Sequence, residues 1–172
     1  MCAALLLLHT CQKNPGLLFS RLKLYTELYN QIKEHPEILE FHKPPFSIAR
    51  YLAEHNSLPE PVFDDCPGAK YEWAFDYTGE IYACTATVGK SGEELGTFYP
   101  AVKKYEDKIT CWEDRDITTI PECRICPARL VCGGGCAALA KNKTGTHLSG
   151  DCRPVAETLE LGIGLYLSLI HI

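Results

Sequence analysis

Residues 123–136 read CRICPARLVCGGGC, four cysteines in fourteen positions with three glycines between the last two. So dense a set of thiols constrains the fold more than any apolar pattern in the chain, because the backbone around it must serve the sulfurs. Three chemistries use such a run: disulfides, zinc, or an iron–sulfur cluster. The chain holds ten cysteines in 172 residues. Nothing in it directs the protein to an oxidising compartment. The apolar run at residues 3–8, AALLLL, lacks a basic flank and is too short for a signal-peptide core. It reads as a strand or helix of a larger core, and Leu8-His9-Thr10-Cys11 is a poor lipobox. The expected setting is the cytoplasm, where structural disulfides are disfavoured.

Charge narrows the partners. The formal net charge is −5 and the pI about 5.7, which argues against a nucleic-acid footprint. No stretch approaches the length of a membrane span, so no membrane partner is expected.

Residues 1–60 carry helical signals. Leu18, Leu22, Tyr25, Leu28, Tyr29 and Ile32 recur at helical spacing, which predicts a helix over 17–34. A second follows Pro44-Pro45 over 46–55. From Cys66 the character changes. Trp73, Phe75 and Tyr77 alternate with smaller or polar residues, Thr78-Gly79 supplies a turn, and residues 80–84 return. A β-hairpin over 71–84 is expected, with Cys84 closing its second strand. Residues 85–122 read as loop. Helices are predicted over 136–143 and 153–166. Residues 167–172 (LSLIHI) read as a non-native tail, and the abrupt start fits a fragment of a longer reading frame. The fold class expected is α+β, a small loop-rich cysteine domain with one short hairpin.

The spacing separates the metal chemistries. Zinc ribbons repeat a Cys-x2-Cys pair after a spacer, whereas here Cys123-x2-Cys126 is followed by Cys132-x3-Cys136. Cys123, Cys126 and Cys132 are close enough to bind three irons on one side of a cubane. In the bacterial ferredoxin run, too, the last cysteine serves a different cluster. Glycines 133–135 permit positive φ and close approach of backbone N–H groups to cluster sulfurs. The scattered cations Arg124, Arg129, Lys141 and Lys143 read as solvated or as tempering thiolate charge. Glu93, Glu94 and Asp107 read as a solvated face.

Cys66-x12-Gly79-x4-Cys84, then Cys123-x2-Cys126-x5-Cys132-x3-Cys136, then Cys152, resembles the SPASM domain. This is the auxiliary-cluster domain of many radical S-adenosylmethionine enzymes, including anaerobic sulfatase-maturating enzymes and peptide maturases. The resemblance covers residues 66–152. It implies two auxiliary 4Fe–4S clusters, the first on Cys66, Cys84 and Cys136, the second on Cys123, Cys126, Cys132 and Cys152. It also implies a division into residues 1–60, the end of a partial (β/α) barrel with its linker, and 61–166, the auxiliary domain. The expected partners are a peptide or protein substrate and an electron donor such as a flavodoxin or ferredoxin.

Two departures from the family pattern matter. Residues 67–83 contain no eighth cysteine, which leaves one iron of the first cluster without a thiolate; Cys111 is a candidate, and a buried free thiol the blander reading. The chain also lacks the Cys-x3-Cys-x2-Cys motif that binds the radical cluster, since Cys2 and Cys11 have the wrong spacing. S-adenosylmethionine and a third cluster are therefore expected only in a full-length parent, and the chain alone is expected to be inactive. Two other readings stand beside this one: a free-standing iron–sulfur protein for electron transfer or peptide binding, and a zinc-stabilised binding module.

Overall fold

The computed structural model describes residues 19–170, with side chains over 19–168. Cys2, Cys11 and the apolar run at 3–8 lie outside the described residues, as do the first positions of the helix expected from 17. The chain divides into two compact units. One is Phe63–Cys152. The other joins two distant stretches, whose described parts are residues 19–62 and 153–170.

In the helical unit, α1 (Arg21–Glu34) starts at Ser20, whose hydroxyl accepts a hydrogen bond from the Lys23 N–H at 3.2 Å. That cap satisfies one orphan donor of the first turn. The helix ends just before Pro36, which cannot continue it. A single turn, α2 (Ile38–Phe41), and then α3 (Ala49–His55) follow. Asn56 closes α3 in a left-handed conformation at φ +50, a role open to asparagine. The long helix α8 (Val155–Ile170) packs against both α1 and α3. Ile32, Phe46, Ala49, Leu165 and Tyr166 form the buried core between them. The Tyr166 hydroxyl is buried and donates to the Pro44 carbonyl at 2.5 Å.

The division differs from the boundary drawn from sequence. Residues 153–166 were expected within the cysteine domain, and α8 instead joins the helical unit. Its apolar face, carrying Leu159, Leu165 and Tyr166, finds a matching surface on Phe46 and Ala49. The helix also runs without a break through Ile170.

In the cysteine unit, β1 (Ala74–Phe75) and β2 (Glu80–Tyr82) form the expected hairpin, pairing Ala74 with Tyr82 and Phe75 with Ile81. Asp76 builds its turn. One carboxylate oxygen accepts from the Thr78 N–H, the Thr78 hydroxyl and the Glu80 N–H at 2.7–3.0 Å. These bonds, the Thr78 hydroxyl's above all, hold the Asp76 carboxyl below the usual range. Gly79 completes the turn at φ +99, where a Cβ would lie 2.7 Å from the Tyr99 carbonyl oxygen.

The loop expected over 85–122 is more ordered than its composition implies. β3 (Glu94–Thr97) and β4 (Lys103–Lys104) extend the hairpin into a four-stranded antiparallel sheet, in sequence order. Gly96 weakens the strand pattern of β3, and the structure uses the absence of its side chain to admit the Lys103 backbone. Then come α4 (Glu106–Glu113), the single turns α5 (Pro121–Arg124) and α6 (Arg129–Cys132), and α7 (Ala137–Thr144). The unit is α+β, as expected. Its main core joins Cys66, Ala69, Cys84, Leu95, Trp112 and Ala137, so that two cysteines are themselves core residues.

Candidate metal centre

Cys66 lies ahead of the hairpin, and its N–H donates to Asp64 Oδ1 at 3.1 Å. Cys84 follows β2, where the Thr87 hydroxyl donates to the Cys84 carbonyl at 2.8 Å and pins the turn. Cys136 caps the start of α7. Burial pushes the Cys84 thiol up, and the nearness of Cys66 and Cys136 pushes it the same way. The three sulfurs therefore share one electrostatic neighbourhood, although 70 residues separate the first from the last.

Cys123, Cys126, Cys132 and Cys152 form a second neighbourhood. Burial raises the Cys123 thiol first, and Cys132, Cys152 and Cys126 then raise it further. Gly150 sits against two of these sulfurs: a Cβ built there would touch Cys123 Sγ at 3.5 Å and Cys152 Sγ at 3.6 Å. Cys126 closes back on Cys123 through its N–H, which donates to the Cys123 carbonyl at 3.1 Å. Cys84 thus feels Cys66 and Cys136, and Cys123 feels Cys126, Cys132 and Cys152. Cys132 falls in one set and Cys136 in the other, four positions apart.

The eight described cysteines are all free thiols. Among the described residues, no three His, Cys, Asp or Glu side chains close tightly enough to hold a metal ion as they stand. The donor chemistry of each set is nonetheless all sulfur, which suits iron–sulfur clusters. Holding metal would require the raised thiols to give up their protons.

Gly133, Gly134 and Gly135 run between the sets at φ +59, +75 and +67. Three successive left-handed residues are a path that only glycine follows without strain. The path lets Cys132 and Cys136 diverge. The Gly133 carbonyl accepts from the Asp65 N–H at 3.0 Å, beside Cys66, and the Gly134 carbonyl from the Asp151 N–H at 3.0 Å, beside Cys152. Each thiol set is thereby tied to the same loop.

Arg115 locks this arrangement and was not singled out from the sequence. Its side chain is wholly buried. It donates to Asp64 Oδ1 at 2.9 Å, His147 O at 2.7 Å, Gly134 O at 3.0 Å and Ser149 O at 3.2 Å. Lys70 bonds the other oxygen of Asp64 and also the Arg115 carbonyl. The guanidinium favours the Cys123 thiolate, opposing the thiols around it. In sequence it sits within WEDRD, among three acidic residues. Its one signal was the Asp64-Asp65 pair before Cys66, an acidic step that burial would have to neutralise.

The other cations are engaged locally. Arg124 donates to the Thr118 carbonyl and Arg129 to the Cys126 carbonyl. Lys143 pairs with the fully buried Asp151 at 2.7 Å, and Lys141 with Glu93 at 2.7 Å. Glu93 is therefore no solvated residue, since its side chain is only 12% exposed. Cys111 is exposed on α4 and joins neither thiol set. His147 Nε2 lies 3.1 Å from the Cys111 carbonyl oxygen. No family model matches the chain, and no curated protein matches it.

Proposed function

We propose that the Phe63–Cys152 unit is an iron–sulfur domain in which Cys123, Cys126, Cys132 and Cys152 hold one cluster and Cys66, Cys84 and Cys136 a second. The supporting observation is the sorting of seven thiols into two neighbourhoods that cut across sequence order. A zinc site needs four ligands about 2.0–2.3 Å from one ion. A cubane spreads its thiolates over separate irons, and so suits the looser sets found here. When bound, such clusters supply electron transfer or a metal site at which a substrate is seated. The chain's own residues would deliver thiolates from loops, turns and short helices. Arg115 would counter the negative charge, and the glycine loop would keep the two sets apart. The parent activity proposed is that of a radical S-adenosylmethionine enzyme acting on peptide or protein side chains, served by a flavodoxin- or ferredoxin-like donor.

Anaerobic reconstitution tests the cluster assignment. The full chain should take up about eight irons, as two cubanes require. Cys152→Ala should selectively disturb the spectrum of the cluster on Cys123, Cys126 and Cys132, and Cys84→Ala that of the cluster on Cys66 and Cys136, each leaving the other intact. Binding of zinc and no iron under strictly anaerobic conditions would refute the reading.

A further inference from the structure

A cavity of about 240 Å³ opens beside α4, outside both thiol sets. Leu95 and Trp112 give it an apolar lining, and Trp112 is stacked on His147 with ring centroids 5.3 Å apart. Charged side chains of both signs stand around it, but they are not equally satisfied. Lys141 Nζ is 2.7 Å from Glu93 Oε1. Lys108 Nζ donates to the Gly92 and Glu94 carbonyls at 3.0 and 2.9 Å. Both lysines of the cavity are therefore taken.

The acceptors are not. Glu93 Oε2 is buried and has no hydrogen-bond partner. The Asp107 carboxylate makes no hydrogen bond or ion pair among the described residues. Burial keeps His147 below its ordinary pKa, so at neutral pH no imidazolium supplies the missing charge. A carboxylate oxygen left unpaired in a half-closed site is costly, and what the cavity lacks is a cationic donor.

We propose that this cavity binds a primary ammonium group, carried by a lysine side chain or by a free amino terminus, between Glu93 and Asp107. Glu93 lines the cavity, and Oε2 is its oxygen without a partner. An ammonium suits the site better than a guanidinium. It is a compact point charge with three donors, whereas a guanidinium favours a carboxylate with both oxygens free, and Lys141 occupies one of Glu93's. The proposal is independent of the iron–sulfur reading.

Cys111 lines the same cavity and is exposed, which makes it a reporter. The rate of its alkylation by iodoacetamide, read by peptide mass mapping of the full chain, should fall several-fold with an ammonium probe, while Cys152 labels at an unchanged rate. Nα-acetyl-lysine methylamide represents the side chain, and glycine methylamide the amino terminus. Protection by one alone assigns the carrier, and protection by both means that the site reads the ammonium only. Asp107→Asn lies on an exposed helix position that should not disturb folding. It should weaken protection on the order of tenfold, the worth of one hydrogen bond to a charged group, and Glu93→Gln should weaken it at least as much. The proposal is overturned if neither probe slows alkylation or if the Nε-acetylated, neutral analogue protects equally. It is also overturned if butyrate protects in their place, or if Asp107→Asn is protected as well as the parent.

Discussion

The Arg115 guanidinium meets Asp64 Oδ1 at 2.9 Å with side-chain exposures of 1% and 11%, so this ion pair lies almost wholly inside the protein. Breaking such a pair strands the other charge, at a cost of about 3–5 kcal/mol. Arg115→Met should therefore destabilise the cysteine unit by about that much, and Asp64→Asn by somewhat less because Asn still accepts a hydrogen bond. The double variant should cost clearly less than the two singles added together, since it removes both charges of this pair and leaves only Lys70, 18% exposed, without its carboxylate. Urea denaturation of the four proteins measures this. Additive losses would mean that the two residues act independently.

Two glycines with left-handed φ separate backbone strain from packing. Gly89 at φ +72 has open space where a side chain would go, whereas a Cβ on Gly134 would lie 2.8 Å from Ile120 Cδ1. Gly89→Ala should cost about 1–2 kcal/mol, the penalty of left-handed alanine alone. Gly134→Ala should cost more, because Ile120 is fully buried and has little room to retreat. Equal losses in thermal unfolding would show that the glycine loop yields freely.

Helix α8 contains a similar pair with opposite expected signs. Nothing stands closer to a Cβ on Gly164 than the Tyr29 hydroxyl at 3.9 Å, whereas Phe46 and Ala49 already fill the place beside Gly162. Gly164→Ala should stabilise the helical unit by about 0.5–1 kcal/mol through helix propensity. Gly162→Ala gains the same propensity and should still destabilise, by overpacking. The midpoint of the helical CD transition reports both.

His147 gives the cysteine unit an acid sensitivity. Burial lowers its pKa below 6.5 in the folded chain. Above that pH both folded and unfolded states hold the neutral ring. As pH falls through 6.5 the unfolded chain takes up the proton first, so folding loses stability towards acid. The midpoint should drop between pH 7.5 and about 5, and His147→Gln should flatten that drop. An identical pH profile in the variant would remove His147 as the cause.

The parts of this fold that were readable in the sequence are those made by local pattern. Alternation at Trp73, Phe75 and Tyr77 marked the hairpin, and Asp76 and Gly79 fix its turn through contacts a few residues long. The good helix formers after Cys136 marked α7. What escaped was set by distant partners. Gly96 made β3 look like loop, because the Lys103 backbone that needs the space is known only once the strands pair. Arg115 drew no reading from the sequence, because three of its four acceptors are backbone carbonyls of residues 134–149, which no side-chain pattern announces. The helix over 153–166 was legible, but not its choice of Phe46 and Ala49 as partners.

That choice of partners has a consequence for how the protein is made. The helical unit draws on stretches either side of Phe63–Cys152, about 90 residues. A ribosome adding about 5–20 residues per second needs on the order of 5–20 s to cross that span. Through that interval α1 and α3 have left the exit tunnel with Phe46 and Ala49 uncovered, while the cysteine unit emerges complete. The order of synthesis therefore lets the thiol-bearing unit settle first and makes the helical unit wait for α8. During that wait, the nascent chain shows its apolar helices to whatever chaperones attend the ribosome.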